Sequence, residues 1–251
     1  MPETSDGDRR GVVTMGSLVF SVTTAALMVA MFKGGLALLG EDTLRGRRTP
    51  WAAVVLTGLV VAGLVTQFCW SGAMDAFDSD PSKSGWWRVV TSVFMQNGGL
   101  FGDAWNLATI AVVAALAEWF WGAPLMLGLF VAGILLPTYI DMLFGETAHS
   151  TDPRNFAGSS GATYFLAATL AAPLLLRALR AGRGGVNAKE ALLALAVPVS
   201  GLVMWFAQAN GHGLVAVYGC LLGALACLLP RPTTLRPVPL GQETARPSSA
   251  P

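Results

Sequence analysis

Charge is what this chain has least of. Lysine, arginine, aspartate and glutamate make up 12% of its 251 residues, where a soluble domain carries roughly 25%. So few charges exclude an ordinary water-soluble globular protein. The formal net charge is +1, so nothing suggests a nucleic-acid partner. Cysteine is also scarce: Cys69, Cys220 and Cys227 lie in or beside apolar runs without metal-ligand spacing. They read as small packing residues rather than as a redox pair. The polar start, MPETSDGDRR, is followed by an apolar run with no convincing small-residue cleavage site. A retained membrane helix is therefore expected rather than a cleaved signal peptide.

What is abundant is apolar. Hydrophobic residues reach 53% and glycines number 29, a composition suited to membrane helices that approach closely. A helix needs about 20 mostly apolar residues to cross the hydrocarbon core. Seven stretches qualify, near 11–32, 51–72, 101–121, 123–144, 159–176, 190–208 and 211–229, with a long, partly polar segment at 73–100. The tail from Arg231 is rich in Pro, Ser and Thr and is expected to be disordered. Basic residues set the orientation. The loop after the first stretch holds Lys33, Arg45, Arg47 and Arg48, and the loop after the fifth holds Arg177, Arg180, Arg183 and Lys189. The tail holds Arg231, Arg236 and Arg246, which brings one side to eleven of the sixteen basic residues. The N-terminus is accordingly predicted outside and the C-terminus in the cytoplasm.

Against this background a few polar residues stand out. Ser160, in Gly158-Ser159-Ser160-Gly161, opens the fifth stretch, and His212, in Asn210-Gly211-His212-Gly213, opens the seventh. Asn106 lies a little more than one turn into the third. All three stretches enter from the outer face. At about 1.5 Å per residue the three side chains fall in one shallow layer. Ionisable groups at membrane depth are costly and usually face a protein interior or a water-filled cavity. A serine and a histidine at one depth form a candidate nucleophile and base.

Further motifs occur in order along the chain. Trp87-Arg88 lies in the first outer loop, Asn106 in GDAWNLAT, and Glu118 and Gly122 in AEWFWG; Tyr164 follows Ser160, and Gly219 and Gly223 follow His212. Over roughly residues 51–230 this set resembles the rhomboid intramembrane serine proteases. Two positions depart from the family: Gly102 stands where a histidine usually precedes the asparagine by four residues, and Val215 replaces a glycine. TSVFMQNGG and the NGHG turn are similar to a divergent, actinobacterial-type group whose members need not all cleave. The resemblance implies an all-α membrane protein with a rhomboid-like six-helix transmembrane core over 51–230. Residues 1–10 would be an N-terminal tail, 11–50 an additional N-terminal transmembrane helix with a basic cytoplasmic loop, and 231–251 a C-terminal tail. It also implies a multi-pass protein of a bacterial plasma membrane that meets transmembrane protein substrates or clients in the lipid bilayer. No metal or organic cofactor is implied.

A serine hydroxyl needs a base within hydrogen-bond reach, and neutral His212 can supply it. No third acid stands out as an orienter, so the expectation is a Ser-His dyad. The Ser160 N–H near a helix N-terminus and the Asn106 amide are candidate oxyanion donors. Gly102 cannot donate from a side chain, and Gln96 or Asn97 is a possible substitute. Tyr164 lies one turn below Ser160 on the same face; by resemblance its ring packs on the imidazole. Gly158 and Gly161, with Gly219 and Gly223, would let the two helices approach closely.

Bland readings stay open beside these. His212 suits a cap or an interfacial polar residue, Ser160 a packing or capping residue, Asn106 an interhelical bridge, and the glycines ordinary packing. Trp86, Trp87 and Arg88 suit interfacial anchors, and Trp119 and Trp121 an inner aromatic belt. Asp103 and Asp141 read as solvated interfacial carboxylates, and His149 carries no signal. Two rivals accompany the protease: a pseudoprotease that binds client helices without cutting, and a small transporter, for which Pro137 and Pro198 would be possible kinks.

Overall fold

A computed structural model describes residues 15–40, 44, 46–80, 82–143, 157–180 and 187–229. Among the described residues the chain is all-helical, with no strand. Its helices are α1 (Met15–Leu39), α2 (Trp51–Cys69), α3 (Ala73–Phe77), α4 (Arg88–Thr91) and α5 (Gly99–Trp121), followed by α6 (Ala123–Leu143), α7 (Ser160–Ala168), α8 (Ala171–Leu179), α9 (Ala188–Gln208) and α10 (Gly211–Ala226). Within the described residues, each of the seven apolar stretches is mostly helical. Five helices are long and apolar enough to cross a membrane: α1, α2, α5, the combined α7–α8 and α9; Ala123–Pro137 and Gly211–Ala226 are shorter apolar helices. The predicted tails, 1–10 and 231–251, lie outside the described residues.

The centre of the bundle is α7–α8. In its apolar window 72% of residues are buried, against 33% or fewer in the other four long spans. Ala162 through Ala168 are buried without interruption. Three alanines and one threonine fill most of this stretch beside Tyr164, Phe165 and Leu166, so neighbouring backbones can approach from several sides. Lipid is as apolar as a leucine side chain, so such contact, rather than hydrophobic burial, holds membrane helices together.

The fifth stretch, expected to be one helix, breaks at Thr169–Leu170. Pro173 has no N–H and its ring crowds the carbonyl four residues earlier, that of Thr169. The Thr169 hydroxyl donates to the Leu166 carbonyl at 2.7 Å and accepts from the Trp121 indole at 3.0 Å.

The first helix also departs from expectation. It continues to Leu39, so Lys33 is an exposed helical residue rather than part of the basic loop. Gly34 and Gly35 do not end it, because they let α1 approach the side chains of Leu174, Leu116 and Leu170. Packing there outweighs the glycine cost of about 1 kcal/mol each. Lys33 can extend its stem along the apolar surface toward the interface. The last carbonyls of α1 are taken by arginines: Arg177 donates to Leu38 and Ala37 at 2.9 and 2.7 Å, and Arg47 to Leu39 at 3.1 Å. Cations at a helix C-terminus also suit its dipole.

Two features place the functional layer. α10 packs most extensively on α7 and α9. Gly219 lies directly against the Phe165 carbonyl, Gly223 against Thr169, and Gly213 against the Gly201 carbonyl, so a Cβ at any of the three would meet backbone. Meanwhile α1 packs against both α9 and α5, and its Thr24 is hydrogen-bonded to Tyr164 and Asn210 near the starts of α7 and α10.

Candidate active site at the starts of α7 and α10

The segment before α7 turns on Gly158. Its φ is +135°, a region that suits glycine and few other residues. Its N–H donates to the Ser92 carbonyl at 3.0 Å, which ties the segment after α4 to the start of α7. Ser159 is fully buried. Ser160 is the first residue of α7 and half-buried. First-turn N–H groups have no intrahelical acceptor, so the Ser160 N–H is available to a ligand. Gly161 plays no part in close packing: a Cβ there would meet nothing within 4 Å. The expectation that Gly158 and Gly161 bring α7 and α10 together is thereby corrected. Gly158 precedes the helix and serves its backbone conformation, while Gly219 and Gly223 make the close contact.

At the start of α10 the chain reverses sharply. Ala209 closes α9 in the left-handed region, with φ 49°, and donates its N–H to Trp205 O at 2.9 Å. Asn210 follows in an extended conformation and is fully buried. Its Oδ1 accepts the His212 N–H at 3.0 Å and lies 3.3 Å from His212 Nδ1. The His212 ring meets the Tyr164 ring edge-on, with centroids 4.7 Å apart and planes at 63°. On its other side Phe20 of α1 makes a second edge contact at 6.4 Å. Thus α7 and α10 bring Tyr164 and His212 together one helical turn from Ser160. No hydrogen bond joins Ser160 Oγ to the His212 ring in this structure.

Asn106 belongs to a different arm of the same layer. Its Nδ2 donates to Gln96 Oε1 at 2.8 Å, and Gln96 Nε2 lies 3.4 Å from Ser159 Oγ. Gln96 is itself clasped by Gln67 of α2: its N–H donates to Gln67 Oε1 at 2.9 Å and its carbonyl accepts Gln67 Nε2 at 2.8 Å. Gln96 therefore links α2, α5 and the residue before Ser160. Through one Nδ2 proton Asn106 is held; the other remains to donate. Gly102 has open space around its missing side chain, and Val215 packs against the apolar core.

The remaining marked residues have structural roles. Arg88 Nη1 donates to the Asp75 and Asp78 carbonyls at 3.0 and 3.2 Å and pairs with Asp78 Oδ1 at 3.2 Å. Lys83 joins the cluster, 2.7 Å from Asp75 and 2.9 Å from Asp78. Its hydrogen bond and charge hold the Asp75 carboxyl below the usual carboxylate range and raise its own ammonium. Trp86 and Trp87 are exposed, as anchors would be. Glu118 Oε2 accepts the Ala53 N–H at 2.7 Å near the start of α2, and Trp119 donates to the Arg48 carbonyl at 2.8 Å. Asp103 is no bare interfacial carboxylate, since its Oδ1 accepts the Gly98 N–H at 2.9 Å. His149 and the Asp141 side chain lie outside the described residues.

Sequence reading missed two members of this layer, Asn210 and Thr24, and treated Gln96 only as a stand-in donor. Asn210 carried a usable signal, an asparagine at the N-cap position of an apolar run. Thr24, inside a helix outside the expected six-helix core, carried none. No protein-family model, curated protein or solved structure matches the chain.

Proposed function

We propose that this protein is an intramembrane serine protease of the rhomboid type, with a six-helix core formed by α2, α5, α6, the combined α7–α8, α9 and α10. It would hydrolyse peptide bonds of membrane-protein substrates near the outer face of a bacterial plasma membrane. The observation that carries this reading is the Tyr164–His212 ring contact between α7 and α10, one turn below the Ser160 hydroxyl. In the reaction, Ser160 Oγ attacks the peptide carbonyl carbon while His212 takes the hydroxyl proton. The oxyanion faces the Ser160 N–H and the free Nδ2 proton of Asn106. His212 then passes its proton to the leaving amine, and a water deprotonated by His212 releases the acyl group. Catalytic hydrogen bonds often tighten only when substrate binds, so the serine and imidazole close on each other at that stage.

A second reading has its own support. The Ser160 hydroxyl and His212 are not hydrogen-bonded here, and Gly102 offers no side-chain donor. Both features suit a rhomboid-like protein that holds client transmembrane helices without cutting them. A fluorophosphonate probe separates the two readings. Protease chemistry gives covalent labelling that Ser160→Ala lowers by at least about 10³-fold. A folded, detergent-stable wild-type protein that does not label would leave the non-cleaving reading.

A further inference from the structure

The contacts at the start of α10 fix one another's direction. A backbone N–H can only donate, so the Asn210 atom 3.0 Å from the His212 N–H is the amide oxygen. That same oxygen lies 3.3 Å from His212 Nδ1. An amide oxygen cannot donate, so a hydrogen bond between the two puts the proton on Nδ1. The far end of the side chain gives the same answer independently. Thr24 Oγ1 donates to the Phe20 carbonyl at 2.7 Å and so is left to accept from Asn210 Nδ2 at 2.8 Å. Asn210 is fully buried, and water does not compete for either end.

We propose that Asn210 is a positioning residue: it holds the neutral imidazole of His212 with its proton on Nδ1, which leaves the Nε2 lone pair as the base, and Thr24 of α1 holds Asn210. The catalytic meaning of this assignment rests on the protease reading above. A neutral imidazole has one donor and one acceptor nitrogen, and with the tautomer reversed it would offer Ser160 a proton instead of taking one. Orientation of a catalytic histidine by a second side chain is worth orders of magnitude in rate in soluble serine proteases. Here an amide would do this in place of a carboxylate, which avoids burying a charge. The assignment also gives α1 a role at the site. Besides Thr24 Oγ1, its Thr24 carbonyl accepts the Tyr164 hydroxyl at 2.8 Å, and Thr23 contacts Gln208 at 3.1 Å. A simple N-cap would use the backbone N–H of the first turn and need neither Nδ1 nor Thr24.

The chain has two histidines, which makes the tautomer measurable. Full-length protein carrying His149→Gln and ¹⁵N-labelled histidine, in micelles at mildly alkaline pH, leaves His212 as the one imidazole signal. Two-bond ¹H–¹⁵N correlations should show the Nδ1–H form in this background. Asn210→Ala should shift the ring toward the Nε2–H form and slow fluorophosphonate labelling about tenfold or more. Asn210→Asp, which keeps an acceptor facing Nδ1, should retain the Nδ1–H form and most of the labelling. Thr24→Val should move the spectrum part of the way. An Nε2–H ring in otherwise wild-type protein, or an unchanged tautomer in Asn210→Ala, overturns the proposal. If Asn210→Ala does not fold, the unsubstituted and Thr24→Val spectra decide. Labelling together with an Nε2–H ring would sink the positioning role and spare the protease reading; an Nδ1–H ring in a protein that never labels would do the reverse.

Discussion

The two halves of this bundle are built on different principles. Toward the C-terminal end of α10, the helix meets α7 through a seam of glycines pressed on backbone, with Gly223 against Thr169 and the Trp121 indole bonded to the Thr169 hydroxyl. Around the start of α10, where Gly213 also lies against the Gly201 carbonyl, a polar rim adds side-chain amides, hydroxyls and one imidazole: Asn106–Gln96, Asn210–Thr24 and Asn210–His212. The seam admits no added atom, whereas the rim has open space beside Gly102 and Gly161. A rigid seam fixes the depth and spacing of α7 and α10, and an adjustable rim can then reorganise around a ligand without unfolding the bundle.

Breaking the seam should have the largest effect. Gly223→Leu would drive side-chain atoms into the Thr169 backbone, which cannot rotate away, so thermal denaturation in detergent should show a loss of about 3 kcal/mol or a failure to fold. A near-neutral result would mean that the helices are free to separate and that the seam does not set the site. Gly102→His sharpens the contrast from the rim. A Cβ there meets nothing within 4 Å, so the variant should fold normally. If Asn106 and the Ser160 N–H bind an oxyanion, the added donor should raise the labelling rate about tenfold, a fraction of what one such donor is worth in a soluble protease. An unchanged rate would show that position 102 does not face the reacting carbonyl.

The smallest effect belongs to the ion cluster of the segment between α2 and α5. Asp75 titrates below its usual range because of Lys83. Its contribution is therefore complete above the unfolded value, about 3.9, and is lost as pH falls through the lower folded value. Lys83 is raised, so its contribution is complete below about 10.4 and is lost as pH rises through the higher folded value. Limited proteolysis of 73–94 should show constant protection between these limits and faster cutting in strong acid. Asp75 is largely exposed, so the bundle itself should not lose stability with it.

Much of the architecture could be read from hydropathy. Where described, all seven apolar stretches are mostly helical, because a run of apolar residues in a sparsely charged chain has few other ways to satisfy its backbone in a membrane. Boundaries were harder where tertiary contact overrode local signals. Lys33 looked like the start of a loop, yet α1 runs past it because Gly34 and Gly35 fit against α5 and α8. The break at Thr169 was signalled by Pro173 but masked by the continuous apolar pattern. Gly161 shows the opposite error: a small-residue motif suggested packing at a position that faces open space.

The candidate site divides along the same line. Ser160, His212, Asn106 and Tyr164 could be singled out because polar residues near the ends of apolar helices are few, and helical rise placed the first three at one depth. Which nitrogen of His212 carries its proton could not be read this way. It depends on Asn210, whose direction is set by a threonine nearly two hundred positions earlier in the chain. Composition and periodicity determine membrane helices because each helix satisfies its own backbone. Tertiary structure alone decides which polar atoms meet, because a side-chain hydrogen bond between helices has no period and leaves no mark in either helix by itself.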